Sequence, residues 1–193
     1  LAADSAVVLM YHRFGDSGHP KNNIQLDQFD AHLAELSKEK YHVLPLPDIL
    51  SAIKTGKTLP KFTVAITIDD AFQSVFTRAV PRLKSRGFPF TLFISTRAIE
   101  GGSSSYMNWD QIRALRDAGA EIGHKTHSYL HMANKENKTL VRDIEAANKR
   151  FKTELGFVPK LFAYPYGETN IKAMTIVKEL GFAFAFGQHS GVV

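Results

Sequence analysis

The sequence contains no cysteine. Disulfides and thiolate metal sites are therefore excluded, and a bound metal would have to be held by histidine and carboxylate. No apolar run approaches the roughly 18 residues that a membrane-spanning helix needs. There is no internal repeat, no low-complexity linker and no nucleic-acid-binding motif. The start, Leu1-Ala2-Ala3-Asp4, lacks a basic and apolar signal region and resembles the small-residue stub left near a signal-peptide cleavage site. A secreted or periplasmic location is the expectation.

What is present fits one folded domain across residues 1–193: 44% apolar residues in 21.5 kDa, enough to bury a core. The formal net charge is +5 and the sequence pI is about 9.4. The lysines and arginines are scattered, as on a solvated basic surface. The sharper alternative is attraction to an anionic envelope or polymer.

Apolar, β-rich runs alternate with helical patterns. Strands are expected at Ala6–Tyr11, Tyr41–Leu44, Phe62–Ile68, Phe90–Ser95, Ala120–Ile122, Leu161–Tyr164 and Phe182–Phe186. Helices are expected at Leu26–Lys38, Asp48–Lys54, Phe72–Ser85, Asn108–Ala118, Asn137–Leu155 and Ile171–Leu180, several closed by a glycine. Gly101–Ser105 reads as a loop. The alternation calls for parallel strands joined by helical crossovers. An irregular (β/α) barrel of about seven parallel strands with surrounding helices is the expected fold, ahead of an open doubly wound sheet. In either, functional groups gather at the C-terminal ends of the strands.

Three polar constellations sit at such ends. In Thr67-Ile68-Asp69-Asp70, a helix cap would use one carboxylate and leave the other unassigned. A metal ligand with a neighbouring base would use both. In Gly123-His124-Lys125-Thr126-His127-Ser128-Tyr129-Leu130-His131, His127 and His131 are four apart. One helical turn would place them side by side, as for two imidazoles on one metal. An ordinary surface or core pair is the plainer alternative. In Phe162-Ala163-Tyr164-Pro165-Tyr166-Gly167, a strand runs into a rigid turn. That turn is either purely structural or shapes a sugar-binding wall and aims a backbone N–H at an oxyanion. His12, after the first strand, is either a satisfied structural histidine, the plainer reading, or a residue lining the same cleft; His189, after the last strand, is a candidate general acid.

Together these segments resemble the polysaccharide deacetylase, or NodB-homology, family from about Val7 to Gly187. Thr67-Ile68-Asp69-Asp70 resembles its T-F-D-D motif, and His127-Ser128-Tyr129-Leu130-His131 its H-[S/T]-x-x-H motif. Phe162–Gly167 is similar to the third motif in the branch acting on β-1,6-linked N-acetylglucosamine polymers. Tyr11-His12 and Asn108-Trp109-Asp110 suit the same branch. The resemblance implies a metal-dependent hydrolase that removes N-acetyl groups from an amino-sugar polymer. It implies Asp69 as general base and Asp70, His127 and His131 as ligands of a divalent metal, commonly zinc. It implies the Tyr166 N–H as oxyanion donor and His189, or else His12, as acid. His12, Tyr164 and Pro165 are expected to contact the N-acetylated glycan.

The chain also departs from the family pattern. The first metal histidine usually stands two residues after E-I-G. Glu121-Ile122-Gly123 puts Lys125 there, and the same register puts Tyr129 in place of the second histidine. The arginine often found before the third motif's proline is replaced by Ala163-Tyr164. No C-terminal leucine–histidine motif is recognisable. Two expectations follow: a rearranged loop in which His127 and His131 bind metal, or a catalytically degenerate carbohydrate-binding protein on the same fold.

Overall fold

Strands alternate with helices throughout residues 5–188, the span described by the computed structural model. These residues form two compact units. The first runs to Leu92 and includes Gly119–Glu121; the second holds Phe93–Ala118 and the chain from Ile122 onward.

The first unit contains β1 (Ala6–Tyr11), β2 (Arg13–Phe14), β3 (Asn23–Ile24), α1 (Leu26–Leu36), β4 (His42–Val43), α2 (Leu46–Thr55) and β5 (Thr63–Asp69). β5 is buried at all seven positions, which explains why its apolar residues do not simply alternate with exposed polar ones. β1 lies parallel to it, Ala6 opposite Thr63 through Tyr11 opposite Ile68, and β4 pairs with its other edge. The buried threonines of β5 find partners: Thr63 donates to the Pro60 carbonyl at 2.7 Å and Thr67 to that of Leu9 at 2.9 Å. The apolar stripe of α1 buries Phe29, Leu33 and Leu36 at helical spacing. Burying such side chains stabilises by roughly 1.5–3 kcal/mol each.

After β5, the helix expected over Phe72–Ser85 is a π-helical stretch, Val75–Ala79, continuous with α3 (Val80–Ser85). Pro81 lacks the N–H of a regular α-helix, and Val80 instead donates to the Val75 carbonyl, five residues back. β6 (Thr91–Ile94) then carries the chain from the first unit into the second.

The second unit holds α4 (Thr96–Glu100), α5 (Trp109–Asp117), β7 (Glu121–His124), α6 (Asn137–Leu155), β8 (Leu161–Ala163), α7 (Ile171–Glu179) and β9 (Phe184–Phe186). β7 pairs with β8, and β8 with β9, in parallel. α6 buries Leu140, Ile144, Ala147, Phe151 and Leu155. The seven strands β1 and β4 to β9 match the expected number, and the fold class is α/β as anticipated. The short β2–β3 pair and α4 were not legible in the periodicity, because two-residue strands and a single helical turn carry no period.

β7 runs two residues beyond its expected end. A Cβ on Gly123 would lie 2.3 Å from the Phe93 ring, so only glycine allows that ring against the strand. His124 is the last strand residue and fully buried, stacked on Phe162 with ring centroids 5.3 Å apart. Its Nδ1 accepts the Thr126 N–H at 3.0 Å. This histidine belongs to the core, and burial drives its pKa down to about 3.

His124 therefore makes stability pH-dependent. In the unfolded chain it binds a proton below its ordinary value of 6.5, whereas in the fold it stays neutral down to about 3. Its contribution is complete above pH 6.5 and is lost as pH falls toward 3, at up to about 1.4 kcal/mol per unit. In urea titrations across that window, His124→Phe is expected to flatten the pH slope by about one proton. An unchanged slope would contradict the assignment.

Candidate active site

In the first unit, the register of β1 against β5 sets Tyr11 beside Ile68, so the next residues, His12 and Asp69, emerge together. His12 Nε2 lies 3.8 Å from Asp69 Oδ2, with side chains 19% and 5% exposed. A carboxylate and an imidazole thus share one sheltered strand end. Asp70 follows with φ 70°, in the left-handed region. Burial pushes the Tyr11 phenol up to about 12, so it stays protonated, and its hydroxyl is hydrogen-bonded with His32 Nδ1 at 2.9 Å.

In the second unit, the segment after β7 is irregular. The helical turn expected over His127–His131 does not form. Thr126 and Tyr129 take φ of 69° and 57°, and the N–H groups that would build a helix are used elsewhere. The Asp143 carboxylate, on α6, accepts the N–H groups of His127 at 3.0 Å and Ser128 at 3.2 Å. Thr126 Oγ1 accepts the Tyr129 N–H at 3.1 Å. On the other side, the Thr96 N–H donates to the Thr126 carbonyl and the Arg97 N–H to that of His127. The Ser95 hydroxyl donates to the Lys125 carbonyl.

The two histidines are oriented through Nδ1. His127 Nδ1 is hydrogen-bonded with Thr96 Oγ1 at 2.7 Å, and His131 Nδ1–H donates to Glu168 Oε2 at 2.8 Å. A bond at Nδ1 leaves Nε2 as the nitrogen open to a ligand, as in metal-ligating imidazoles, and two imidazoles with an aspartate are chemically suited to a divalent ion. Among the described residues, however, no three His, Asp or Glu groups converge closely enough to hold one.

Lys125 is fully buried, with its ammonium 4.9 Å from the centroid of the Tyr129 ring. Tyr129 meets Tyr166 edge-on at 4.8 Å, and Tyr166 stacks on His131 at 3.8 Å. The two residues in the family's histidine register therefore touch each other, and the matching histidine His131 lies under Tyr166. In the third motif, Tyr164 and Pro165 are buried, Tyr164 inside the core cluster with Phe162 and Phe182. The exposed aromatic face of the turn belongs to Tyr166, which has φ 59°. A Cβ on Gly167 would come within 2.5 Å of Gln188, which demands glycine there. His189 lies outside the described residues.

Of the five described non-glycine residues with positive φ, four fall in these motifs: Asp70, Thr126, Tyr129 and Tyr166. Such strain persists only where surrounding structure over-determines it, and it clusters at functional sites. Thr96, Asp143 and Glu168 were not singled out from sequence. Each lies outside the motifs, and nothing in its local pattern marks it.

Asp143 supplies a clear test. Removing a charged acceptor that serves two N–H groups should cost roughly 1.5–3 kcal/mol. Asp143→Ala is expected to speed hydrogen exchange across residues 125–131 well beyond any change in β5. Uniform acceleration would instead mean general destabilisation.

The sequence is 28% identical over 212 aligned positions to a Staphylococcus aureus protein named poly-beta-1,6-N-acetyl-D-glucosamine N-deacetylase, covering 95% of this chain and 72% of that one. The structure superposes on a Streptococcus pyogenes deacetylase, PplD, in complex with acetate, at TM-score 0.89 and 20% identity, covering 97% of this chain and 85% of that one. It superposes on IcaB from Ammonifex degensii at TM-score 0.87 and 26% identity, with the same coverage of each chain. The fold is thus shared with these proteins. The sequence model of the family described as polysaccharide deacetylase matches residues 56–185, from before β5 into β9, so that both aspartates and both loop histidines fall within it. The chain belongs to the polysaccharide deacetylase family.

Proposed function

We propose that this chain is a metal-dependent hydrolase that removes N-acetyl groups from an amino-sugar polymer of the cell envelope or exopolysaccharide, working in secreted or periplasmic form. The observation that carries the reading is the Asp69–His12 pair at the ends of β5 and β1. Among the described residues no helix is long and apolar enough to cross a membrane. A β-1,6-linked N-acetylglucosamine polymer is the substrate of first choice, from the name of the staphylococcal relative.

An acetamide resists water because its carbonyl is a poor electrophile and its amine a poor leaving group. Asp69 takes a proton from the attacking water. The water oxygen bonds to the carbonyl carbon, and the Tyr166 N–H donates to the oxyanion that develops. As the C–N bond breaks, His189 or His12 gives a proton to the nitrogen, leaving acetate and a free amine. Asp70, His127 and His131 would hold a divalent ion, with zinc suited to two imidazoles and a carboxylate. When bound, such an ion supplies Lewis-acid polarisation of the carbonyl.

A second reading has its own observation. Buried Lys125 and half-buried Tyr129 stand in the conventional histidine register and contact each other. On that reading the chain binds glycan without an ion and without turnover.

Acetate release from β-1,6-linked N-acetylglucosamine oligomers, measured alongside bound metal, separates the two. The hydrolase reading expects turnover that a chelator abolishes and zinc restores. It expects Asp69→Asn to lower kcat by about 10²-fold or more. His127→Ala and His131→Ala should lose the metal. Metal-free protein that releases no acetate from any of several glycans would defeat it. Glycan binding that survives both chelator and His131→Ala would then establish the second reading.

A further inference from the structure

We infer that a groove beside the Asp69–His12 pair is a subsite for the neighbouring sugar of the polymer, and that it favours an N-acetylated neighbour over one carrying a free amine. This deepens the glycan reading above and rests on it. The groove lies wholly within the first unit, with a volume of about 360 Å³, and its lining includes Met10, His12, Arg13, Lys21 and Asn22. That volume is at the small end of the range for ligand pockets and suits a single sugar ring. It begins at the reacting pair, because His12 both lines it and stands 3.8 Å from Asp69. A sugar presented to Asp69 would thus place its neighbour here.

The charge of the lining is one-sided. Met10, 40% exposed although it lies on a strand, offers an apolar surface to the C–H face of a pyranose. Arg13, Lys21 and Asn22 offer N–H donors, and no aspartate or glutamate lines the groove. Arg13 is held 2.9 Å from Asp16 and lies 3.7 Å over the Phe72 ring. Lys21 makes no ion pair among the described residues. Donors of this kind match acetamide carbonyls and hydroxyls. A glucosaminium group would bring its positive charge to Lys21 with no carboxylate in the lining to receive it, and like charges set against each other are costly. The amine left by deacetylation is such a group, so the groove would sense whether the adjacent unit has already lost its acetyl.

Calorimetric titration of the full chain with two β-1,6-linked disaccharides tests this. One is fully N-acetylated; the other carries a free amine on one unit. The pH is set low enough to protonate that amine. The acetylated disaccharide is expected to bind about fivefold tighter or more. Lys21→Met should bring the ratio toward one, and Lys21→Glu should invert it, with thermal midpoints confirming that these surface variants fold. Equal affinities, no binding of either disaccharide, or a ratio unmoved by Lys21→Glu would overturn the subsite. Binding is read without turnover. Failure to release acetate would therefore defeat the hydrolase while leaving a measured preference intact.

Discussion

The Asp143 carboxylate takes two successive backbone N–H groups, those of His127 and Ser128, and the whole polar segment after β7 hangs on that contact. A charged acceptor serving two amides holds more strongly than neutral bonds would, and it denies those amides to a helical turn. Around it, Ser95, Thr96 and Arg97 bind the carbonyls of Lys125, Thr126 and His127 in turn. Clamped on both sides, the chain can hold Thr126 and Tyr129 in left-handed conformations that their side chains disfavour.

That clamp decides what the loop presents. Lys125 is turned inward against Tyr129, while His127 and His131 are fixed through Nδ1 by Thr96 and Glu168. The same segment thus carries features of a ligand loop and of a rewired one. His124 anchors its beginning from the core, and the charge-free burial that makes this possible also makes the fold acid-sensitive. The Asp69–His12 pair needs no such clamp, since the parallel register of two adjacent strands brings it together.

Most of the architecture was legible because it repeats. The β-branched run Phe62–Ile68 announced β5, and the helix expected over Asn137–Leu155 and closed by Gly156 is α6 to the residue. The failures have specific causes. Pro81 converts part of an expected α-helix into a π stretch. Gly123 admits the Phe93 ring and lengthens β7, which moves His124 from the polar constellation into the core. Tyr164 was expected to contact glycan, yet it packs into the core with Phe162 and Phe182, while the turn that gives Tyr166 a φ of 59° leaves that ring exposed.

The sequence by itself determined the α/β class, the order of its elements and the family, because hydrophobic period and motif order are properties of the chain read in line. Only the tertiary structure decided which polar groups meet. Asp143, Thr96 and Glu168 come from different elements, and no local pattern marks them as partners of a loop that the fold brings beside them. The orientation of Lys125 and the cationic lining of the first-unit groove are likewise three-dimensional facts. Local spacing encodes which face of an element is apolar; contact between side chains distant in sequence depends on packing, which spacing does not contain.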